Sequence, residues 1–247
     1  MLNNYQSKFR TAESGFSILE MAIVMVILAT LLGGLLVSIS QTQEMNNRTD
    51  ANNTLDDIKE ALYGFAQANG RLPCPATTAS LGAEAPLGGG ACTQRYGFVP
   101  WSTLGLSGPI NSDNLLMDNW LSPYRYNITN QNASAFTTSG QMSALTIAAL
   151  NPNLRICSAA GCGAGTALFD SAPVVIISLG ENWSGFTSAD EVENAEATVG
   201  GYRQANDNDF VTTGYIEDAF DDIITWVSPS ILYTRMILFH KCLLQEL

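Results

Sequence analysis

The run from Phe16 to Ile39 is apolar at almost every position and carries a single acid, Glu20, close to its start. A stretch this long and this apolar predicts a helix that crosses a membrane or fills the core of an assembly. A charge inside such a helix costs roughly 2.5 to 3.5 kcal/mol on insertion scales, so Glu20 is a functional candidate that calls for a cation.

The residues ahead of the run narrow the choice of cation. Met1 to Gly15 is a polar leader with Lys8 and Arg10 against Glu13. An ordinary secretory signal is cut after its apolar stretch, whereas here the small residue, Gly15, stands before it. Cleavage between Gly15 and Phe16 would keep the apolar helix on the mature chain and free an α-amine one helical turn from Glu20. In a bundle of such helices, the amine of one subunit could neutralise the carboxylate of the next. Lys8 and Arg10 precede the run and none of Gln41 to Asn47 is basic, so the positive-inside rule places the leader in the cytoplasm and the remainder outside.

The Gly-Phe-x-x-x-Glu junction at Gly15, Phe16 and Glu20, followed by about twenty apolar residues, resembles the type IV pilin superfamily. That superfamily includes type IV pili, their minor pilins and the pseudopilins of type II secretion. The resemblance implies that a prepilin peptidase cuts after Gly15, that Phe16 is N-methylated and that Glu20 guides docking into a helical filament. It also implies other pilins or pseudopilins, an inner-membrane assembly platform and the lipid bilayer as partners. Many pilins carry a proline in the second half of this helix; here Gly33-Gly34 interrupts the run instead. The pair marks either a point of local melting and close helix approach or glycines of the kind membrane helices tolerate.

Beyond the apolar run, Leu55, Ile58, Leu62, Phe65 and Ala66 recur at helical spacing, with Asp56, Asp57, Lys59 and Glu60 on the other faces. Gly70 and Pro73 stop the pattern. The expected organisation is a leader over 1–15, a transmembrane or filament-core helix over 16–39, an amphipathic continuation over 40–70, and an extracytoplasmic head with a C-terminal helix over 71–247. The predicted helix from Phe16 to Asn69 would be ~80 Å long. After it comes a loop rich in Gly, Ala and Pro, and strands are expected at Tyr124 to Thr129, Ala144 to Leu150 and Pro173 to Leu179. The fold class is α+β, a long membrane-embedded N-terminal helix packed on an antiparallel sheet.

Two further segments resemble pieces of major pseudopilins. Asp118-Asn119-Trp120-Leu121-Ser122-Pro123-Tyr124 is similar to an Asp-x-Trp-Gly-x-Pro-Tyr segment, with Leu121 where glycine is usual. Ile177 to Gly180, followed by Asp221 to Trp226, is similar to their closing strand and loop.

Cys74 and Cys92 bracket the Gly-rich loop, and Cys157 and Cys162 bracket a four-residue turn, so two sequence-adjacent disulfides are the economical reading of three connectivities. The zinc alternative lacks nearby histidine, since the only one is His240 in the tail. Cys242 is left over, as a buried thiol or an intermolecular partner.

With 11 basic against 23 acidic residues the chain carries a formal charge of −12. Losing Lys8, Arg10 and Glu13 with the leader leaves 9 against 22, or −13. Phosphate backbones would repel such a head, which excludes direct nucleic-acid binding. The acids concentrate between Glu181 and Asp222, and resemblance to the calcium-binding loop of major pseudopilins makes Asp207, Asp209, Asp221 and Asp222 candidate calcium ligands. Asn206 to Asp209 lacks the glycine and distal glutamate of an EF-hand, and a solvated acidic loop is the competing reading.

No nucleophile elbow, Walker loop or His-Glu-x-x-His motif is present, and Asp221-Asp222 is commoner as a capping pair than as a glycosidase pair. Ser228-Pro229 predicts the start of a C-terminal helix. The sequence thus points away from an enzyme and toward a minor pilin or pseudopilin, in the inner membrane with a periplasmic head and then in a filament or at the cell surface. The other reading is a monomeric membrane-anchored extracytoplasmic binding domain, with calcium as its candidate ligand.

Overall fold

The computed structural model describes residues 15, 17–145, 149–163, 165–186, 188–216 and 219–236, the side chains of 33–40 excepted. The chain forms two compact units, Met1–Asn46 and Asn47–Leu247. Helix α1, Ile18–Asn69, begins in the first and ends in the second. Its backbone stays helical through Gly33-Gly34. It stops at Gly70, which adopts φ +65° and donates its N–H to the carbonyl of Ala66 at 2.9 Å, the left-handed stop that glycine permits.

Among the described residues no helix is long and apolar enough to cross a membrane. This overturns the expected membrane-embedded helix, and with it the single-pass inner-membrane placement and periplasmic head derived from it.

The second unit is three-layered. Strands β1 (Tyr96–Phe98), β2 (Arg125–Ile128), β5 (Val174–Ser178) and β9 (Ile223–Trp226) form an antiparallel sheet in the order β1-β2-β5-β9. Side chains alternate across a strand, so one face of this sheet carries Tyr126, Ile128, Val174, Ile176 and Ile223. That face buries Ala51, Leu55, Ile58, Leu62, Tyr63 and Ala66 of α1. Phe65 is only half-buried, beneath the Arg71 guanidinium at 5.0 Å.

The opposite face, with Val175 and Ile177, packs on Leu154, Ile156, Ala172 and Phe210. These belong to a second sheet built from β3 (Leu154–Cys157), β4 (Ala167–Ala172) and β8 (Asp209–Val211) in the order β4-β3-β8. Covered on both faces, β5 is apolar at Val174 to Ile177 without alternation, and all five of its residues are buried. Strands β6 (Ala197–Val199) and β7 (Tyr202–Gln204) pair only with each other among the named strands.

Two expectations about strands need correction. The second sheet is mixed, because β3 runs parallel to β8. The segment Ala144 to Leu150 contributes no strand among its described residues: Ala144 ends a one-turn helix, Gln141–Ala144, and Thr146 to Ala148 lie outside the described residues.

Candidate functional site

Ser17 opens α1. Its Oγ accepts the N–H of Glu20 at 3.2 Å and its carbonyl accepts that of Met21 at 3.1 Å, which is the hydrogen bonding of an N-cap residue. Glu20 is therefore the third helical residue, in the first turn, where the helix dipole favours a negative charge. It is exposed and makes no salt bridge among the described residues. Gly15 is described and exposed; Phe16, the expected methylation site, lies outside the described residues. The Ser-x-x-Glu spacing of Ser17 and Glu20 is the sequence signal for this N-cap.

From Ile18 to Leu32 the helix presents apolar side chains on all sides, with none of them covered. Ile18 is 91 % exposed, Val26 64 % and Leu32 61 %. Met21, Met25, Leu28 and Leu32 line one side; Leu19, Ile23 and Val26 line another. A helix that is apolar all round is stable in water only when something encloses it.

The acidic candidates separate into two groups. Glu193, Asp207 and Asp209 bring one carboxylate oxygen each within 4.8 Å of one another. Burial, followed by the neighbouring acids, raises the pKa of Asp207, and burial is also the first cause of the rise at Glu193. Both oxygens of Asp209 are engaged by Arg155, Oδ1 by Nε at 2.6 Å and Oδ2 by Nη2. Asp207 accepts the Asp209 N–H at 2.8 Å. Calcium takes six to eight oxygens, and this trio brings three together, one from each residue.

Asp221 and Asp222 are not part of it. Asp221 Oδ2 accepts the N–H groups of Glu181 at 2.6 Å and Asn182 at 3.3 Å, and Asp222 accepts from Asn194 Nδ2 at 2.6 Å. Asn194 ends helix α2, Ala189–Asn194, whose N-terminus is closed by a reciprocal Ser188–Glu191 capping box. Glu191 in turn accepts from Asn182 Nδ2 at 2.8 Å and from the Asp221 N–H at 3.3 Å. Burial pushes Asp221 up to about 6, and pushes Asp222 well above the usual carboxylate range. These acids tie the loop after β5 to α2 and to the start of β9. Glu217 and Asp218, in the same acidic stretch, lie outside the described residues, as do His240 and Cys242.

The segment expected to resemble pseudopilins folds about Asp118. Its carboxylate accepts the N–H groups of Trp120 at 3.0 Å and Ser122 at 2.8 Å, and the hydroxyl of Ser178 at 2.6 Å. Leu121 occupies the left-handed region at φ +62°.

Cys74 is bonded to Cys92 and Cys157 to Cys162. The first bridge closes a loop built around a buried organising centre. That centre is Arg71, whose guanidinium meets Glu84 in a buried two-pronged pair at 2.7 and 2.6 Å. Glu84 also accepts the N–H groups of Cys74 and Gly88 at 3.1 Å each. Set against known proteins, the chain matches no family model, no curated protein and no solved structure.

Proposed function

We propose that the chain is a structural subunit of a type IV pilus or type II secretion filament, a minor pilin or pseudopilin that assembles through the first part of α1. The observation that carries this reading is the uncovered apolar surface on every side of residues 18–32. In this reading the enclosure such a segment needs is supplied by the equivalent helices of neighbouring subunits. The junction at Gly15, Phe16 and Glu20 supports it further, with prepilin peptidase as the processing enzyme and N-methylation of Phe16 as the product. The work of the protein is then architectural, with the head available for contacts between subunits.

Mass spectrometry of the native amino terminus tests the processing: a methylated Phe16 is expected, and an intact Met1 or a cut at another position ends the reading. Assembly is tested by Val26→Lys, which places a charge in the middle of the apolar segment. Loss of the sheared filament fraction is expected, with an unchanged thermal transition of the head.

A further inference from the structure

The β6–β7 hairpin is a two-stranded ribbon that extends neither of the larger sheets. Gly200 and Gly201 form its turn, both at positive φ, +61° and +86°, as the tightest hairpin turns require. A ribbon of two strands is marginally stable by itself, so its place depends on what its side chains and outer carbonyls touch. The Tyr202 hydroxyl donates to Asp113 Oδ2 and accepts from Asn111 Nδ2, each at 2.7 Å, and its ring meets that of Phe98 edge-on at 5.3 Å. The Arg203 carbonyl accepts Arg125 Nε at 2.6 Å, and the Arg203 guanidinium lies over the Phe186 ring at 4.8 Å.

Arg125, on β2, is 1 % exposed, with its guanidinium 5.2 Å from the ring centre of Phe98 and 5.9 Å from that of Tyr202. Nη1 donates to the Pro123 carbonyl, Nη2 has no partner, and no carboxylate forms a salt bridge with it among the described residues. Burying a cation is costly unless it is paired. Burial lowers the pKa of Arg125 to about 9, more than the pull of Asp118, Tyr202 and Asp222 restores. We infer that the β6–β7 hairpin is a flap over this guanidinium, one that opens while the rest of the head stays folded. Closing it strips water from a cation that gains no bonded counter-charge; opening it returns that water. The contacts of Tyr202 pull the flap shut, and the charge of Arg125 works against them.

Hydrogen exchange at the amides of 197–204 in the purified full chain reads the opening, because a detached ribbon does not keep its bonds. The amides of Val174–Ser178, all in buried residues, report unfolding of the whole head. In the wild-type chain the hairpin amides are expected to exchange about a hundredfold faster than this reference or more. Equal protection of the two sets would mean that the hairpin is lost only with the entire fold, and would overturn the flap. Arg125→Met replaces the charge with an apolar chain and is expected to slow hairpin exchange about tenfold. Tyr202→Phe removes both bonds of the hydroxyl and should speed it about fivefold. Neither is expected to move the reference amides. Unchanged or faster hairpin exchange in Arg125→Met would show that the hydrogen bonds of Arg125 outweigh the cost of burying it, against the inference. Faster exchange at the reference amides in that variant would make Arg125 a support of the whole head and overturn it equally. So would Tyr202→Phe if it leaves the hairpin unchanged or speeds both sets alike.

Discussion

At the scale of single residues, the informative positions are those where a local rule is broken and the neighbours explain why. Asp221 is buried, with a pKa raised to about 6, first by desolvation. The fold therefore favours its protonated form, so its contribution to stability is present below about pH 4 and lost as pH rises through 6. The shift of about two units corresponds to about 3 kcal/mol. Asp221→Asn, which keeps an acceptor for Glu181 and Asn182, is expected to flatten the decline of the melting temperature between pH 4 and 6.5. Gly180 lies against this carboxyl at φ +62°, where a Cβ would come within 2.3 Å of Asp221 Cγ. Gly180→Ala should therefore cost roughly 2–3 kcal/mol in urea unfolding, from a left-handed backbone and a displaced Asp221. Leu121 is the converse case: left-handed without being glycine, and 69 % exposed. Leu121→Gly relieves the backbone and sacrifices little packing, so a gain of up to ~1 kcal/mol is expected in the same measurement.

At the scale of elements, the long loop between α1 and β1 owes its order to two links, the Arg71–Glu84 pair and the Cys74–Cys92 bridge. Glu84→Gln leaves the buried guanidinium without its counter-charge and is expected to cost about 3–5 kcal/mol. Replacing Cys74 and Cys92 with Ser should cost ~3 kcal/mol by chain entropy. Because Glu84 accepts the N–H of Cys74, the combined variant should lose less than the sum, which a double-mutant cycle in urea will measure. The same distinction, between what neighbours in sequence announce and what distant segments supply, governs how much could be foreseen. The 3.6-residue pattern of Leu55, Ile58 and Leu62 located the core face of α1, and Gly70 its end, because both signals are local. The strands β2 and β5 were legible from their β-branched and aromatic content. The parallel partnership of β3 with β8 was not, since three-residue Asp209–Val211 has no pattern until Leu154–Cys157 lies beside it. Nor was the Arg71–Glu84 pair, whose members stand 13 residues apart in a stretch that reads as loop. Around the candidate site, the leader junction and the apolar segment were evident, but it was their clustering in one acidic stretch and a resemblance to a pseudopilin loop that joined Asp207 and Asp209 to Asp221 and Asp222. The fold gives the first pair to Arg155 and Glu193 and the second to the loop after β5.

At the scale of the whole molecule, charge and the apolar segment act in opposite directions on association. A formal charge of −12 makes like chains repel, while the surface of residues 18–32 draws them together. Repulsion is screened within about 10 Å at 0.1 M salt, so self-association of the full chain in sedimentation velocity should rise as sodium chloride is raised from 20 to 300 mM. Val26→Lys should abolish that rise. The position of β9 carries a separate consequence. It covers an edge of β5, the strand buried on both faces, yet it is the last named strand in the order of synthesis. A nascent or prematurely terminated chain that stops before Ile223 holds an almost wholly hydrophobic ribbon with one flank bare, open to any strand that meets it. Stop codons ahead of that residue should therefore yield insoluble product in place of a slightly shorter head.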